Sequence, residues 1–484
     1  MNLPRAFWSA LLILLLANVA ARVFLVGGAQ PVHSPDSGSY LNYARDWRES
    51  GDLPPVGQRP PAYPLLINLT ARGDDYRLTV LVQQTLGILS NLMLYALVYQ
   101  FTRRVPWALA AGGIGLLLVD LPLMEITLYA ETLTLFLIMA GALSLAWGTA
   151  PDPQRVGLKA KSPMNGADQP VSAGFPILAG GSKPPAVKQG GLLLLSGLCW
   201  AGAAFARPAF LVAVGVFAAA LIWLAWRRRV RWGAALVAAG LPLALIGGYM
   251  AYNAARGENG FATGRGYSLI NYVGYPEMYR NLPPEMADLQ QIYLEADARD
   301  GLGYVWWYAV IDSVTARYRE NPDQTPDDIA AGVALDVIRA RPGIYAQIWL
   351  TTLGRYLFSY DLQHGLLINN QRPPTPDNIQ LSPAAYSAAR SLERLWTLAI
   401  PLLNAAALIL PVWVALRRRA AGWEIMLILW SILVVVLVGS VSIEPFTRQA
   451  RYRIPVQLVY VALAVLGVYA LVQDFNRRRG RYNQ

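Results

Sequence analysis

The chain has one cysteine and two histidines in 484 residues. A single thiol, Cys199, excludes an internal disulfide framework and a cysteine-based zinc site. His33 and His364 are too few for a histidine-rich metal centre. Charge is scarce too: Asp, Glu, Lys and Arg make up 15% of the chain, against roughly 25% in soluble domains. Neither a phosphate-cradling glycine loop nor a dinucleotide fingerprint is present. GxSxG and HExxH are also missing. These absences disfavour a soluble nucleotide as activated donor and leave acid–base chemistry to carboxylates, with His33 as the outsider.

Apolar residues, by contrast, make up 55% of the sequence. They are gathered into runs near 7–27, 80–101, 106–124, 132–149, 190–206, 208–226, 232–252, 396–416, 423–442 and 454–473. Runs of about 20 apolar residues are what a bilayer-crossing helix requires. The expected fold is therefore all-α: a polytopic helical membrane protein of about ten spans, or eleven if 343–359 also crosses. That interval is short and carries Arg355, which favours a helix lying at the interface. The first run could be a signal peptide with GGAQ as its small-residue cleavage site; a polytopic chain is expected to retain it.

Acid-free basic clusters stand at alternate run ends: Arg103–Arg104, Arg227–Arg229 with Arg231, Arg417–Arg419, and Arg477–Arg479 with Arg481. Positive residues resist translocation, so these ends and both termini are expected in the cytoplasm. The net charge of +11 is thus read as membrane topology rather than nucleic-acid binding. Three parts follow. Residues 1–252 form a membrane module with seven spans, a first outer loop at 28–79 and a Pro/Gly/Ser/Lys-rich cytoplasmic loop at 150–189. Residues 253–395 form a helical extracytoplasmic region, and 396–484 carry the last spans and a basic tail. Within the middle part, Thr325 is placed to cap a helix with Pro326 in its first turn and acids behind it. Ile329, Val333, Val337 and Ile338 give that helix an apolar stripe, and Leu289, Ile292, Tyr293 and Ala296 mark another.

The candidate chemistry lies in the outer loops. In PDSGSYLNYARDW, Asp36 precedes an amphipathic helix whose Tyr40, Tyr43, Ala44 and Trp47 share one face. Asp36 either caps that helix or serves as a fixed acid, and the two roles are compatible. Arg59, before Pro60 and Pro61, is either a phosphate ligand or an arginine reaching for lipid headgroups. An anionic base and a cation beside a bilayer suit the removal of a group from a lipid-borne phosphate. Asp120, Glu125 and Glu131 gather at the next outer turn, where ionisable groups near membrane depth are functional candidates. Arg207-Pro208 marks a turn between two runs; its guanidinium could meet a lipid phosphate or simply sit at the interface. Glu444, Arg448, Arg451 and Arg453 crowd the loop before the last run. Three arginines on an outer loop run against the topological bias, so phosphate, anionic headgroups or pairing with Glu444 must favour them there.

Taken in order, these motifs resemble the GT-C superfamily of integral-membrane glycosyltransferases, in the branch similar to bacterial protein O-mannosyltransferases and the lipid A aminoarabinose transferase. The resemblance rests on the first-loop acid, the aromatic amphipathic helix, the Arg-Pro-Pro entry, the acid before the fourth run, the Arg-Pro turn and RYRIP before the last run. It implies a polyprenyl-phosphate-sugar donor in the bacterial inner membrane and inversion at the anomeric carbon on the outer face. Asp36 would be the general base on an acceptor hydroxyl, Arg59 would contact the donor phosphate, and Glu131 would line the same cavity. The sugar and the glycan, lipid or protein acceptor are not specified. Many relatives carry a second acid beside the first; here Ser37 and Gly38 follow Asp36, which leaves a divalent metal as an option rather than an expectation. The rival readings are a lipid-linked glycan polymerase or ligase, a transporter or flippase, and a non-catalytic scaffold. A transporter would show internal repeats with matched broken spans, and no convincing pair is visible.

Overall fold

The computed structural model describes residues 3–33, 36–54, 59–149, 186–257, 260–262, 264–301, 304–360, 379–417, 422–443 and 453–482. Glu444, Arg448, Arg451, His364 and nearly all of the 150–189 loop lie outside them. The membrane part contains α1 (Arg5–Val26), α2 (Ser37–Ser50), α3 (Ala62–Thr70), α4 (Arg77–Thr102), α5 (Val105–Leu117), α6 (Asp120–Glu125), α7 (Glu131–Gly148), α8 (Ala186–Ala206), α9 (Leu211–Trp226) and α10 (Trp232–Ala255). The middle unit contains α11 (Arg265–Ile270), α12 (Pro276–Tyr279), α13 (Ala287–Asp300), α14 (Trp307–Tyr318), α15 (Pro326–Ala340) and α16 (Pro342–Phe358). The last helices are α17 (Pro383–Arg417), α18 (Trp423–Ile443) and α19 (Ile454–Tyr482). Among the described residues β structure is limited to isolated bridges, one of them joining Val32 to Thr127.

Nine of the described helices are long and apolar enough to cross a membrane. The protein is a multi-pass helical membrane protein. The expected span at 106–124 is corrected: it is broken into α5 and α6. Pro122 explains the position of the break. Its ring excludes the carbonyl four residues earlier, that of Leu118, from a continuous helix. The chain leaves α5 at that residue, and the Trp396 indole donates to the freed Leu117 carbonyl at 2.7 Å. The break leaves Asp120 fully buried at the start of α6. Helix α17 extends from Pro383 through residue 395 to Arg417.

One apolar core runs through the membrane helices. It joins α7 to α8 and α4, and α19 to α17 and α7. The middle unit has its own core, which takes in residues of both expected stripes: Leu289, Tyr293 and Ala296 of α13 and Ile329, Val333 and Val337 of α15, with α14 packed against each helix. Thr325 caps α15 by accepting the Asp328 amide at 3.2 Å. Asp327 reaches across to accept the amides of Gly264, Gly266 and Tyr267 at 3.0, 2.9 and 3.1 Å. This supplies acceptors for amides at the start of α11, which have none within their own helix. Gly266 permits the approach, since a Cβ there would lie 1.9 Å from the Asp327 carbonyl oxygen. Helix α16, at 17 residues, is not among the nine.

Candidate functional site

The first loop is stitched to the loop before α7 by backbone. The Val32 amide donates to the Ile126 carbonyl at 2.9 Å, and the Leu128 amide returns to the Val32 carbonyl at 3.1 Å. Ser37 continues the seam, its hydroxyl donating to the Leu128 carbonyl at 3.0 Å. Asp36 and Glu131, 95 positions apart in sequence (131 − 36), are thereby brought to one end of the helix bundle.

Asp36 stands at the N-cap of α2 but makes no side-chain capping bond. Its Oδ1 instead faces the Arg59 Nη2 at 3.2 Å, with the two side chains 35% and 25% exposed. Arg59 is steered from two sides. Its Nε donates to the Ser39 hydroxyl at 2.9 Å, and Ser39 in turn donates to the Asp36 carbonyl at 2.8 Å. Its guanidinium also lies 4.8 Å from the centre of the Tyr40 ring, within the range of cation–π attraction.

A second ion pair stands nearby. Arg207 Nη1 meets Glu131 Oε1 at 2.8 Å, and the Glu131 side chain is only 4% exposed. The other Glu131 oxygen, Oε2, is buried without a hydrogen-bond partner. Unmet buried acceptors are rare and call for an explanation. Burial pushes the Tyr40 hydroxyl pKa up, and Arg59, Glu131, Arg207 and Asp36 all act on it as charges. One buried tyrosine is therefore within electrostatic reach of both pairs. Tyr40 appeared in the sequence only as part of an aromatic face. Its period-3.6 placement gave it a burial signal but no hint of its charged neighbours.

The remaining candidates lie elsewhere. Glu125 is held by Arg22 of α1, with Nε to Oε2 at 2.7 Å and Nη2 to Oε1 at 2.5 Å. Arg22 also donates to Asn18 Oδ1 at 3.1 Å. Arg22 passed unremarked in the sequence because it sits within an apolar run. Arg453 is buried and bonded to protein: Nε to Gln457 Oε1 at 3.0 Å, and Nη1 to the Tyr356 and Ser359 carbonyls at 3.1 and 2.7 Å. Both Arg453 and Arg207 act on Tyr356, whose hydroxyl burial pushes up. Tyr356 thus lies within electrostatic reach of both. Asp120, the Tyr360 hydroxyl and Arg453 act on one another in a buried cluster, and Arg453 Nη2, Gln457 Nε2 and the Tyr460 hydroxyl are buried without hydrogen-bond partners. His33 lies edge-on to Tyr76 at 5.4 Å.

Among the described residues no three His, Cys, Asp or Glu side chains gather in a way that could hold a metal ion. Asp36 and Glu131 each already face a guanidinium.

No protein-family model matches the chain. No curated protein matches it either. Among solved structures it is similar to the archaeal oligosaccharyltransferase AglB from Archaeoglobus fulgidus, in complex with an inhibitory peptide and a dolichol-phosphate. The identity is 10% and the TM-score 0.45, covering 99% of this chain and 51% of that one. It is also similar to ArnT from Cupriavidus metallidurans bound to undecaprenyl phosphate, at 12% identity and a TM-score of 0.36, covering 96% of this chain and 77% of that one. The oligosaccharyltransferase is also known in complex with zinc and sulfate, at 11% identity and a TM-score of 0.40, covering 96% of this chain and 51% of that one. The chain spans about half the length of the oligosaccharyltransferase it matches.

Proposed function

We propose that the protein is an inverting glycosyltransferase that moves a sugar from a polyprenyl-phosphate donor to an acceptor hydroxyl at the outer face of a bacterial inner membrane, with both termini in the cytoplasm. The observation that carries this reading is the gathering of two carboxylate–guanidinium pairs around Tyr40, one pair partly open and the other buried.

The open pair is suited to exchange. An arriving donor phosphate competes with Asp36 for Arg59, because guanidinium groups bind phosphate oxygens bidentately. Asp36 is then released as an ionised carboxylate to accept the acceptor's proton. The acceptor oxygen attacks the anomeric carbon from the face opposite the phosphate. As the new C–O bond forms, the bond from carbon to phosphate oxygen breaks and its electron pair leaves with the phosphate. Arg59 and Arg207 stabilise the negative charge that grows there, which is worth most in a site poor in water. Glu131 orients Arg207 through Oε1 and offers Oε2 to a hydroxyl of the bound sugar. Arg453, whose Nη2 is buried without a hydrogen-bond partner, is a further guanidinium within electrostatic reach of Tyr356. The bond between sugar and phosphate supplies the driving force, so no nucleotide is required.

Asp36→Asn tests the reading. The purified full-length protein should release sugar from a radiolabelled polyprenyl-phosphate sugar to acceptor, and the variant should lose at least about 100-fold in turnover. Donor-lipid affinity should be equal to or above wild type, because the carboxylate that competes for Arg59 is gone, and thermal stability should stay near wild type. Turnover by Asp36→Asn close to wild type would remove Asp36 as the base.

A further inference from the structure

Gln83 lies near the start of the apolar run at 80–101 and is fully buried. All of its polar atoms are engaged. Its Nε2 donates to the Glu125 carbonyl at 2.7 Å and the Thr127 carbonyl at 3.0 Å. Its Oε1 accepts from the Tyr63 hydroxyl at 2.5 Å. Two carbonyls can only be met by the NH₂ end of the amide, so its orientation is fixed, and Tyr63 must be the donor at the other end.

These three bonds reach both halves of the site. The Glu125 and Thr127 carbonyls flank Ile126, whose own carbonyl bonds Val32, and the next residue, Leu128, bonds Val32 and Ser37. Three residues further on, α7 begins with Glu131. On the other side, the Tyr63 ring meets the Tyr40 ring edge-on at 5.0 Å, and Tyr40 lies under Arg59. One amide on α4 thus holds the segment leading to Glu131 and the aromatic support beneath Arg59.

We propose that Gln83 is a positioning residue that fixes the separation of the Asp36–Arg59 and Glu131–Arg207 pairs. It touches no reacting atom. The inference rests on the glycosyl-transfer reading for its kinetic consequence, but its structural consequence can be measured without it. Misplacement of catalytic groups by about 1 Å can cost about 100-fold in rate.

The test uses the full-length protein in lipid nanodiscs with Gln83→Leu and Gln83→Glu. Hydrogen exchange is the arm independent of activity. In Gln83→Leu the Val32 and Leu128 amides should exchange at least about tenfold faster, while amides within α4 and α7 stay protected. Unchanged exchange at Val32 and Leu128 would overturn the inference. In the kinetic arm, turnover per folded molecule should fall about 30- to 100-fold in Gln83→Leu, with donor KM within about threefold of wild type. A loss confined to the yield of folded protein, with turnover per molecule unchanged, would reduce Gln83 to a packing residue and also overturn the inference. Gln83→Glu adds a signature that packing alone would not give. Its neutral acid form can donate to one of the two carbonyls and its ionised form to neither. Activity should therefore recover as pH falls, relative to a wild type measured in parallel; a profile parallel to wild type counts against the positioning role. Wild-type protein that shows the Gln83-dependent exchange but no transfer would refute the glycosyltransferase reading and leave the positioning role standing.

Discussion

Arg22–Glu125 and Asp36–Arg59 are the same pair of groups in two opposite settings. In the first, the side chains are 7% and 2% exposed, and every guanidinium nitrogen and carboxylate oxygen has a partner. In the second, a quarter to a third of each side chain reaches solvent, and Asp36 Oδ1 faces Arg59 Nη2 at 3.2 Å. A buried pair with all its hydrogen bonds made is costly to break, because removing one partner strands a charge in a medium that cannot solvate it. A partly exposed pair contributes less to stability. The difference separates a structural ion pair from one whose guanidinium, in the function proposed above, exchanges its carboxylate for a phosphate. Glu131–Arg207 combines the two: a buried pair with one oxygen still unclaimed.

The contrast can be broken from either side. Glu125→Ala should be the more damaging to the fold, destabilising the protein by about 3–5 kcal/mol because Arg22 is left uncompensated. Thermal unfolding of the purified protein would measure this, and adding Arg22→Met to Glu125→Ala should recover most of the loss. A double variant no more stable than Glu125→Ala would show that the pair does more than neutralise itself. Arg59→Ala should show the reverse pattern. Stability should change by about 1 kcal/mol or less, while sugar transfer falls about 100- to 1000-fold, as expected on removal of a group that stabilises developing charge. Equal effects of both substitutions on stability would erase the distinction.

The sequence made some of this architecture readable and hid the rest for physical reasons. Apolar run length is a strong signal because the bilayer imposes it, and nine crossing helices follow the expected runs. The cap at Thr325 was readable because a cap is local, set by residues three apart. The proximity of Asp36 and Arg59 was readable because one short loop carries both. Arg22, Gln83 and Tyr40 gave no comparable signal. Arg22 and Gln83 meet Glu125 from 103 and 42 positions away, Tyr40 meets Arg59 and Tyr63 across an intervening loop, and an isolated polar residue in an apolar run does not disclose what it will meet. Arg453 was singled out by charge bias, but its bonds to Gln457 and to the carbonyls at the end of α16 carried no sequence signal. The break at Leu118 was within reach, since Pro122 restricts the helix there, but mean hydropathy overrode that local cue.

Gly87 offers the finest adjustment of the contrast, because it perturbs the buried pair without removing either charge. A Cβ built on Gly87 would lie 1.8 Å from Glu125 Oε1 and 2.9 Å from Arg22 Nη2. The backbone of α4 therefore approaches the ion pair as closely as a residue without a side chain allows. Gly87→Ala must displace the Glu125 carboxylate, and crowding of this kind costs about 1–3 kcal/mol, offset in part by the better helix propensity of alanine. Gly87 lies one helical turn from Gln83, and Gln83 holds the Glu125 carbonyl. The displaced carboxylate should therefore strain the same loop that leads to Glu131. The expected result is a modest fall in thermal stability and a fall of a few-fold in transfer rate, each smaller than the corresponding loss for Glu125→Ala or Arg59→Ala. Gly87→Ala with wild-type stability would mean that the carboxylate has room to move, and the fixed character assigned to this pair would then be wrong.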